Sequence, residues 1–403
     1  MDIYVARQPI FNQEKKIFGY ELLFRDSIEN IFSGIDGNTA TTELLSNSFL
    51  NIGIEKLIGK SVAFINFTKE LLINQLPKLF PNKQLVVEIL ENVEPDDEVI
   101  KSCAELSRQG YTIALDDFFY HEKLEPIIAL ADIIKFDFLA TSIDDISDVI
   151  QKISRHNLTF LAEKIETVEE FDMALNMGFK YFQGYFFSKP EMIEGKNISP
   201  AKFNLLEIMA EVNRSDFEFS KVENIIARDV SISYKLLRYL NSAYYRRVNE
   251  ISSIKQAIVL LGERGIRNFL SLIAMTKLSE NKPDELMRSS IIRAKFCELL
   301  GECVDSCSYS SELFTLGLFS SIDAILDDSM EHVMARLPLS ENIKTALMGG
   351  EGELTDYLNM AKYYERGDWE GFTELKNEFK MNEDKLPDCY LEAISWADAI
   401  TSL

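Results

Sequence analysis

Eight polar residues recur at matching places in otherwise apolar sequence. Glu21, Asn66, Glu88, the adjacent pair Asp116 and Asp117, Lys135, Glu163 and Gln183 each fall inside, or at the C-terminal end of, a short hydrophobic run. Brought to one face, these carboxylates would repel strongly: two of them about 4 Å apart cost on the order of 4 kcal/mol at an effective dielectric near 20. A hard divalent cation relieves that repulsion. An all-oxygen set of carboxylates plus one amide suits Mg²⁺, Mn²⁺ or Ca²⁺ better than zinc. If a strand ends at the Asp116–Asp117 pair, one of the two carboxylates can bridge two metals about 3.5–4 Å apart, an arrangement that cleaves phosphodiesters. Taken singly, each polar residue could equally cap a strand or satisfy a local amide. Their recurrence at the ends of successive runs points to a site.

The elements that must carry these residues follow from the hydrophobic pattern. The runs 17–24, 61–67, 84–90, 112–118, 133–138, 159–165 and 181–187 read as strands, with a further one at the start of the chain. Segments 41–52, 96–109, 144–155 and 168–177 between them have helical spacing. Strands alternating with helices predict parallel, buried strands, and this number of them predicts a closed β/α barrel of the TIM-like kind. In such a barrel the C-terminal strand ends converge on one face. From about residue 200 the strand signal vanishes. Ser220 and Glu223 are spaced as a capping box, Gly262 is placed as a helix C-cap, and 287–300 and 311–326 read as further helices. The Gly-, Asn-, Ser- and Pro-containing stretch 191–203 is the natural linker. The organisation predicted is a barrel over 1–196 and an all-α domain over 197–403.

Composition limits the function classes. The chain has 403 residues, 65 acidic against 42 basic side chains and a formal net charge of −23. That surface repels phosphate backbones and anionic lipid, so no nucleic-acid partner and no membrane insertion are expected. Three scattered histidines leave catalysis to carboxylates, lysine or metal. The five cysteines read as reduced, buried thiols, with a zinc site on Cys297, Cys303 and Cys307 as the alternative. The N-terminus lacks a signal-peptide pattern and no apolar run reaches about 18 residues, so a cytoplasmic protein is expected.

The motifs fall into a known order. Glu21-Leu22-Leu23 with Arg25, FINFT around Asn66, VEILE around Glu88, LDDF, KFD, AEKIE and QGYFFSKP resemble the EAL domain of cyclic di-GMP phosphodiesterases over roughly residues 1–190. The resemblance implies that Glu21, Asn66, Glu88, Asp116 and Asp117 hold Mg²⁺ or Mn²⁺. It implies that Lys135 holds or polarises the attacking water, that Glu163 is the general base and that Gln183 supports metal or base. Gln8 and Arg25 match positions contacting the dinucleotide, and Glu91 matches a residue that anchors the loop after the Asp pair. That loop departs from the family: Phe118-Phe119-Tyr120-His121 stand where a Phe-Gly and a Gly/Ser-rich segment are usual. Because the loop mediates dimer contacts in the family, a homodimer is a further expectation that the departure bears on. The triplet's middle residue is the bulkier Leu22, and Lys164 replaces the glycine of the segment after the general base.

In the second half, ARDVSISYKLLRYLNSAYY and ISSIKQAIVLLG resemble the HDOD domain, a helical relative of HD phosphohydrolases. Ser320 and Ser321 stand where a His-Asp pair would be, and Ser289 where a histidine would be. Without those ligands this half reads as a regulatory or partner-binding module. The combined expectation is metal-dependent opening of cyclic di-GMP to linear pGpG, with a protein partner reached through the helical half. The alternative is an inactive cyclic di-GMP receptor or interaction scaffold.

Overall fold

The computed structural model describes residues 3–26, 54–188, 226, 230–241, 253–280, 282–304, 309, 312–337, 339–381 and 385–401. The helix expected at 41–52, the linker at 191–203 and the capping box at Ser220 lie outside the described residues. The chain divides into two compact units, the first holding Met1–Phe187 and the second beginning at Ser188.

The first unit is a closed eight-stranded barrel in sequence order. Its strands are β1 Ile3–Asn12, β2 Ile17–Asp26, β3 Val62–Phe67, β4 Leu85–Ile89, β5 Thr112–Leu115, β6 Ile133–Asp137, β7 Thr159–Glu163 and β8 Tyr181–Gln183. The helices between them are α1 Ile54–Ile58, α2 Lys69–Ile73, α3 Asp97–Arg108, α4 Glu125–Ile128, α5 Ile143–Ile153 and α6 Val168–Asn176. Each longer helix opens on a side-chain cap. Asp96 accepts from the Glu98 and Val99 amides, Ser142 from Asp145, and Thr167 with Glu170 forms a reciprocal capping box.

One expectation is corrected. β2 to β8 pair in parallel, but β1 runs antiparallel to both neighbours. The four residues joining β1 to β2 form a tight turn. Asn12 Oδ1 accepts from the amides of Glu14 and Lys16, each at 3.0 Å, and Lys15 is left-handed at φ 56°. A connection that short cannot hold the crossover that parallel strands need.

Inside the barrel, Ile10, Phe64, Val86, Ala114, Ile133 and Leu161 form one fully buried cluster. Lys135 and Glu163 lie two residues further along β6 and β7 than Ile133 and Leu161. By the two-residue period of a strand they face the same interior one layer higher. The apolar layer thus forms the floor beneath the polar one.

The second unit is helical: α7 Val230–Leu240, α8 Ile254–Leu278, α9 Asp284–Glu302, α10 Leu313–Phe319, α11 Ile322–Leu326, α12 Met330–Arg336, α13 Glu341–Leu347, α14 Glu353–Arg366, α15 Trp369–Glu378 and α16 Leu386–Thr401. Its centre is α9, packed against α10 and α16. Gly262 takes φ 66°, as a C-cap would, yet the helix resumes at once, so α8 is kinked there rather than ended. The segment 311–326, read as one helix, is broken between α10 and α11.

Candidate active site

Lys135 organises the upper layer of the barrel. Its side chain is wholly buried, and its ammonium lies 2.6 Å from Asp116 Oδ1, 2.7 Å from Glu88 Oε1, 2.9 Å from Glu163 Oε1 and 3.8 Å from Glu21 Oε2. Four carboxylates from β2, β4, β7 and the end of β5 therefore share one internal cation. Around Glu21 the set closes through amides. Asn66 Nδ2 donates to Glu21 Oε1 at 3.3 Å, and Gln183 Nε2 donates to Glu21 Oε2 at 2.6 Å and to Gln8 Oε1 at 2.9 Å. Gln8 sits directly opposite Glu21 in the β1–β2 pairing.

The Asp pair meets its geometric condition. β5 ends at Leu115, the Asp116 amide donates to Ile89 O at 3.0 Å, and the Phe118 amide donates to Lys135 O at 3.1 Å. Asp117 lies between them at φ 40°, a left-handed conformation that costs a non-glycine residue about 1–2 kcal/mol. The turn frees both carboxylates from strand alternation. Carboxylate oxygens of Glu91, Asp116 and Asp117 lie within 4.8 Å of one another, a group able to hold a metal ion. Glu91 thus joins the Asp pair directly.

One lysine does not balance four carboxylates, and burial adds to the cost of ionising Glu88 and Glu163. Burial, opposed by Lys135 and reinforced by Asp116 and Glu21, raises the Glu163 carboxyl to about 8. Glu88 is driven upward by burial, and Asp117 by burial and by Asp116. Against its own burial, Lys135 is held firmly protonated by Asp116, Glu163, Glu21 and Glu88. Among the described residues, buried acceptors also remain without a hydrogen-bond donor: Asn66 Oδ1, Glu88 Oε2, Glu163 Oε2 and Gln183 Oε1. Leaving such groups unmade is costly, and a divalent cation is the partner this all-oxygen donor set fits.

Of the remaining expected residues, Arg25 belongs to β2 and pairs with Tyr4, but its side chain lies outside the described residues. Two neighbours were not singled out from sequence as site residues. Asp137 ends β6, accepting from the Leu139 amide at 2.7 Å and the Ala140 amide at 2.9 Å, and it forms an ion pair with Lys164. Its spacing two residues after Lys135 on one strand was the available signal.

The altered loop is held by local bonds. Phe118 is buried edge-on to Phe136, Tyr120 Oη donates to Glu125 Oε1 at 2.9 Å, and His121 Nδ1 accepts from the Lys123 amide at 3.2 Å. Phe119 is exposed.

The EAL domain family matches residues 37–190 and the HDOD domain family residues 200–337. The cyclic di-GMP phosphodiesterase CdgJ of Vibrio cholerae is 38% identical over 99% of this chain and 93% of its own length. The chain belongs to the EAL–HDOD family. The uncharacterized protein YuxH of Bacillus subtilis is 39% identical over 98% of both chains. Among solved structures, a standalone EAL protein from Vibrio cholerae O395 in its c-di-GMP bound form is 25% identical, covering 47% of this chain and 92% of that one, with a TM-score of 0.37. A calcium and cyclic di-GMP complex of Klebsiella pneumoniae BlrP1 is 21% identical, covering 47% and 56%, with a TM-score of 0.39.

In this EAL–HDOD chain β1, β2 and Glu21 precede the segment matched to the EAL family. In the HDOD part, Arg293 on α9 is buried and its Nη1 donates to Ser320 Oγ at 2.7 Å and Ser321 Oγ at 3.1 Å, while Ser289 Oγ donates to Glu285 O at 2.7 Å. A guanidinium therefore bonds the Ser320–Ser321 pair. The thiols of Cys103, Cys297, Cys303 and Cys389 are buried, and burial pushes Cys103 up to about 12. Cys303 lies beside Cys389, with Sγ–Sγ 3.5 Å, and Cys307 lies outside the described residues. Among the described residues no helix is long and apolar enough to cross a membrane.

Proposed function

We propose that this protein hydrolyses cyclic di-GMP to linear pGpG with Mg²⁺ or Mn²⁺. The observation that carries the reading is the ring of Glu21, Glu88, Asp116 and Glu163 around the buried Lys135, with unpartnered oxygens beside it and the Glu91–Asp116–Asp117 group at its edge. Glu21, Asn66, Glu88, Asp116 and Asp117 would hold the metal ions, whose charge would stabilise phosphoryl oxygens and lower the pKa of an attacking water. Lys135 would orient that water, and Glu163 would take its proton. Burial raises the Glu163 carboxyl to about 8, and positive charge brought to the ring would lower it toward neutrality and leave a base near the operating pH. Gln183, linked to both Glu21 and Gln8, would fix the metal-side carboxylate, and Gln8 with Arg25 would contact the dinucleotide. The full-length similarity to a relative named for the same activity supports the reading.

The test is chromatography of cyclic di-GMP incubated with the full-length protein in Mg²⁺, Mn²⁺ and Ca²⁺. Production of pGpG in Mg²⁺ or Mn²⁺ is expected, with Glu21→Ala and Glu163→Gln each lowering turnover at least about 100-fold. An unchanged substrate peak in every metal, or full activity in either variant, would overturn the assignment.

A further inference from the structure

Lys164 is in a conformation that lysine disfavours. It follows the general-base candidate Glu163 at the end of β7 with φ 57°. In continuing strand geometry its side chain would point away from the barrel mouth, opposite to Glu163. The left-handed backbone turns it sideways instead. Its ammonium reaches across the end of β6 to Asp137 and lies 4.0 Å from Asp117 Oδ1 at the end of β5. Asp117 is itself left-handed, at φ 40°. Two left-handed residues just beyond the ends of β5 and β7, the strands either side of β6, thus face one another, with Asp137 between them. Strain of this kind persists only where the surroundings over-determine it, and it clusters at functional sites.

The charge arrangement gives the strain a purpose. Lys135 compensates the inner carboxylates, while Lys164 is the cation set against the outer ones, Asp117 and Asp137. Asp117 belongs to the Glu91–Asp116–Asp117 metal-capable group, so any ion held there would lie close to the Lys164 ammonium. We propose that Lys164 is a tethered counter-cation that weakens and tunes divalent-metal binding at the outer, Asp117 side of the site. This rests on the metal-site reading above and adds an element to it: outer-site occupancy is set by competition with a side chain of the protein itself. A +1 and a +2 charge about 5 Å apart repel enough, even at the dielectric of water, to change affinity about tenfold.

The experiment measures Mn²⁺ binding to the full-length protein by calorimetry and by electron paramagnetic resonance of free Mn²⁺. Lys164→Met keeps the length and removes the charge. Lys164→Gly removes both and adopts the left-handed backbone without strain. Lys164→Arg keeps the charge. Two classes of Mn²⁺ are expected, with the weaker class binding about tenfold more tightly in Lys164→Met and Lys164→Gly and near its wild-type affinity in Lys164→Arg. If Lys164 serves only as a clamp on the Asp137 turn, Tm changes while both Mn²⁺ affinities stay put, and the inference fails. If no variant and no wild-type protein binds Mn²⁺, the metal-site reading itself fails and takes the inference with it.

Discussion

Glu163 couples the chemistry of the site to the stability of the barrel. Burial holds its carboxyl at about 8, whereas in the unfolded chain it titrates near about 4.3. Between those values the native protein keeps a proton that the unfolded chain has released. The metal-free protein therefore loses stability as pH rises from about 4.5 to about 8, by up to ~1.4 kcal/mol per pH unit from this residue. Urea titrations at several pH values without metal should show that slope. Glu163→Gln, which cannot ionise, should make it shallower and leave the part that the raised Glu88 and Asp117 carboxyls contribute, and an unchanged slope would remove Glu163 as a source. Divalent metal should act in the opposite sense, because binding to ionised oxygens becomes more favourable as the pH rises. At this scale the sequence was most informative. A charged or amide side chain inside an apolar run stands out without any structure, and Glu21, Glu88, Asp116, Lys135 and Glu163 do meet. What spacing did not reveal was Lys164 as a site neighbour, because its direction depends on a backbone conformation that its residue type disfavours.

At the level of elements, the end of β8 is set by one close approach. Gly184 follows Gln183 with φ 149°, and a Cβ there would fall 2.0 Å from the Ile165 carbonyl oxygen. The chain needs that proximity. The Ile165 amide donates to Gln183 O at 3.0 Å and the Phe186 amide to Ile165 O at 3.1 Å, which locks β8 onto the segment after Glu163. Gly184→Ala should destabilise the barrel by about 2–3 kcal/mol through forced displacement of that backbone. It should also lower cyclic di-GMP turnover by moving the Gln183 amide off Glu21. Denaturation together with the chromatographic assay checks both, and a variant with wild-type stability would show that the contact yields freely. The strands themselves were legible as apolar runs, as were α3, α5 and α6 between them. The reversed direction of β1 was missed, although the four residues after Asn12 cannot carry a helical crossover. Gly262 was legible as a left-handed position, but local sequence does not tell whether a helix restarts behind it.

Taken whole, the molecule joins a barrel made of distant segments to a bundle of neighbouring helices. The barrel closes where β1 meets β8, through the pairs Ile10–Gln183, Phe11–Phe182 and Asn12–Tyr181. The β1–β2 hairpin needs only a local turn, whereas this seam joins the two ends of the barrel sequence. Loop-closure entropy delays such contacts relative to local ones. Gln183 lies in the seam and bonds to Gln8 on β1 and Glu21 on β2, so the oxygen-rich layer is incomplete until the ring of strands is shut. During refolding, the ability to bind Mn²⁺ should therefore appear after most of the secondary structure has formed. Stopped-flow circular dichroism and Mn²⁺ binding followed in parallel would reveal a lag between the two, and coincident phases would refute it. The metal centre would then be a timer as well as a workplace: a half-made barrel, with its acidic strand ends apart, could neither capture an ion nor degrade a signalling nucleotide.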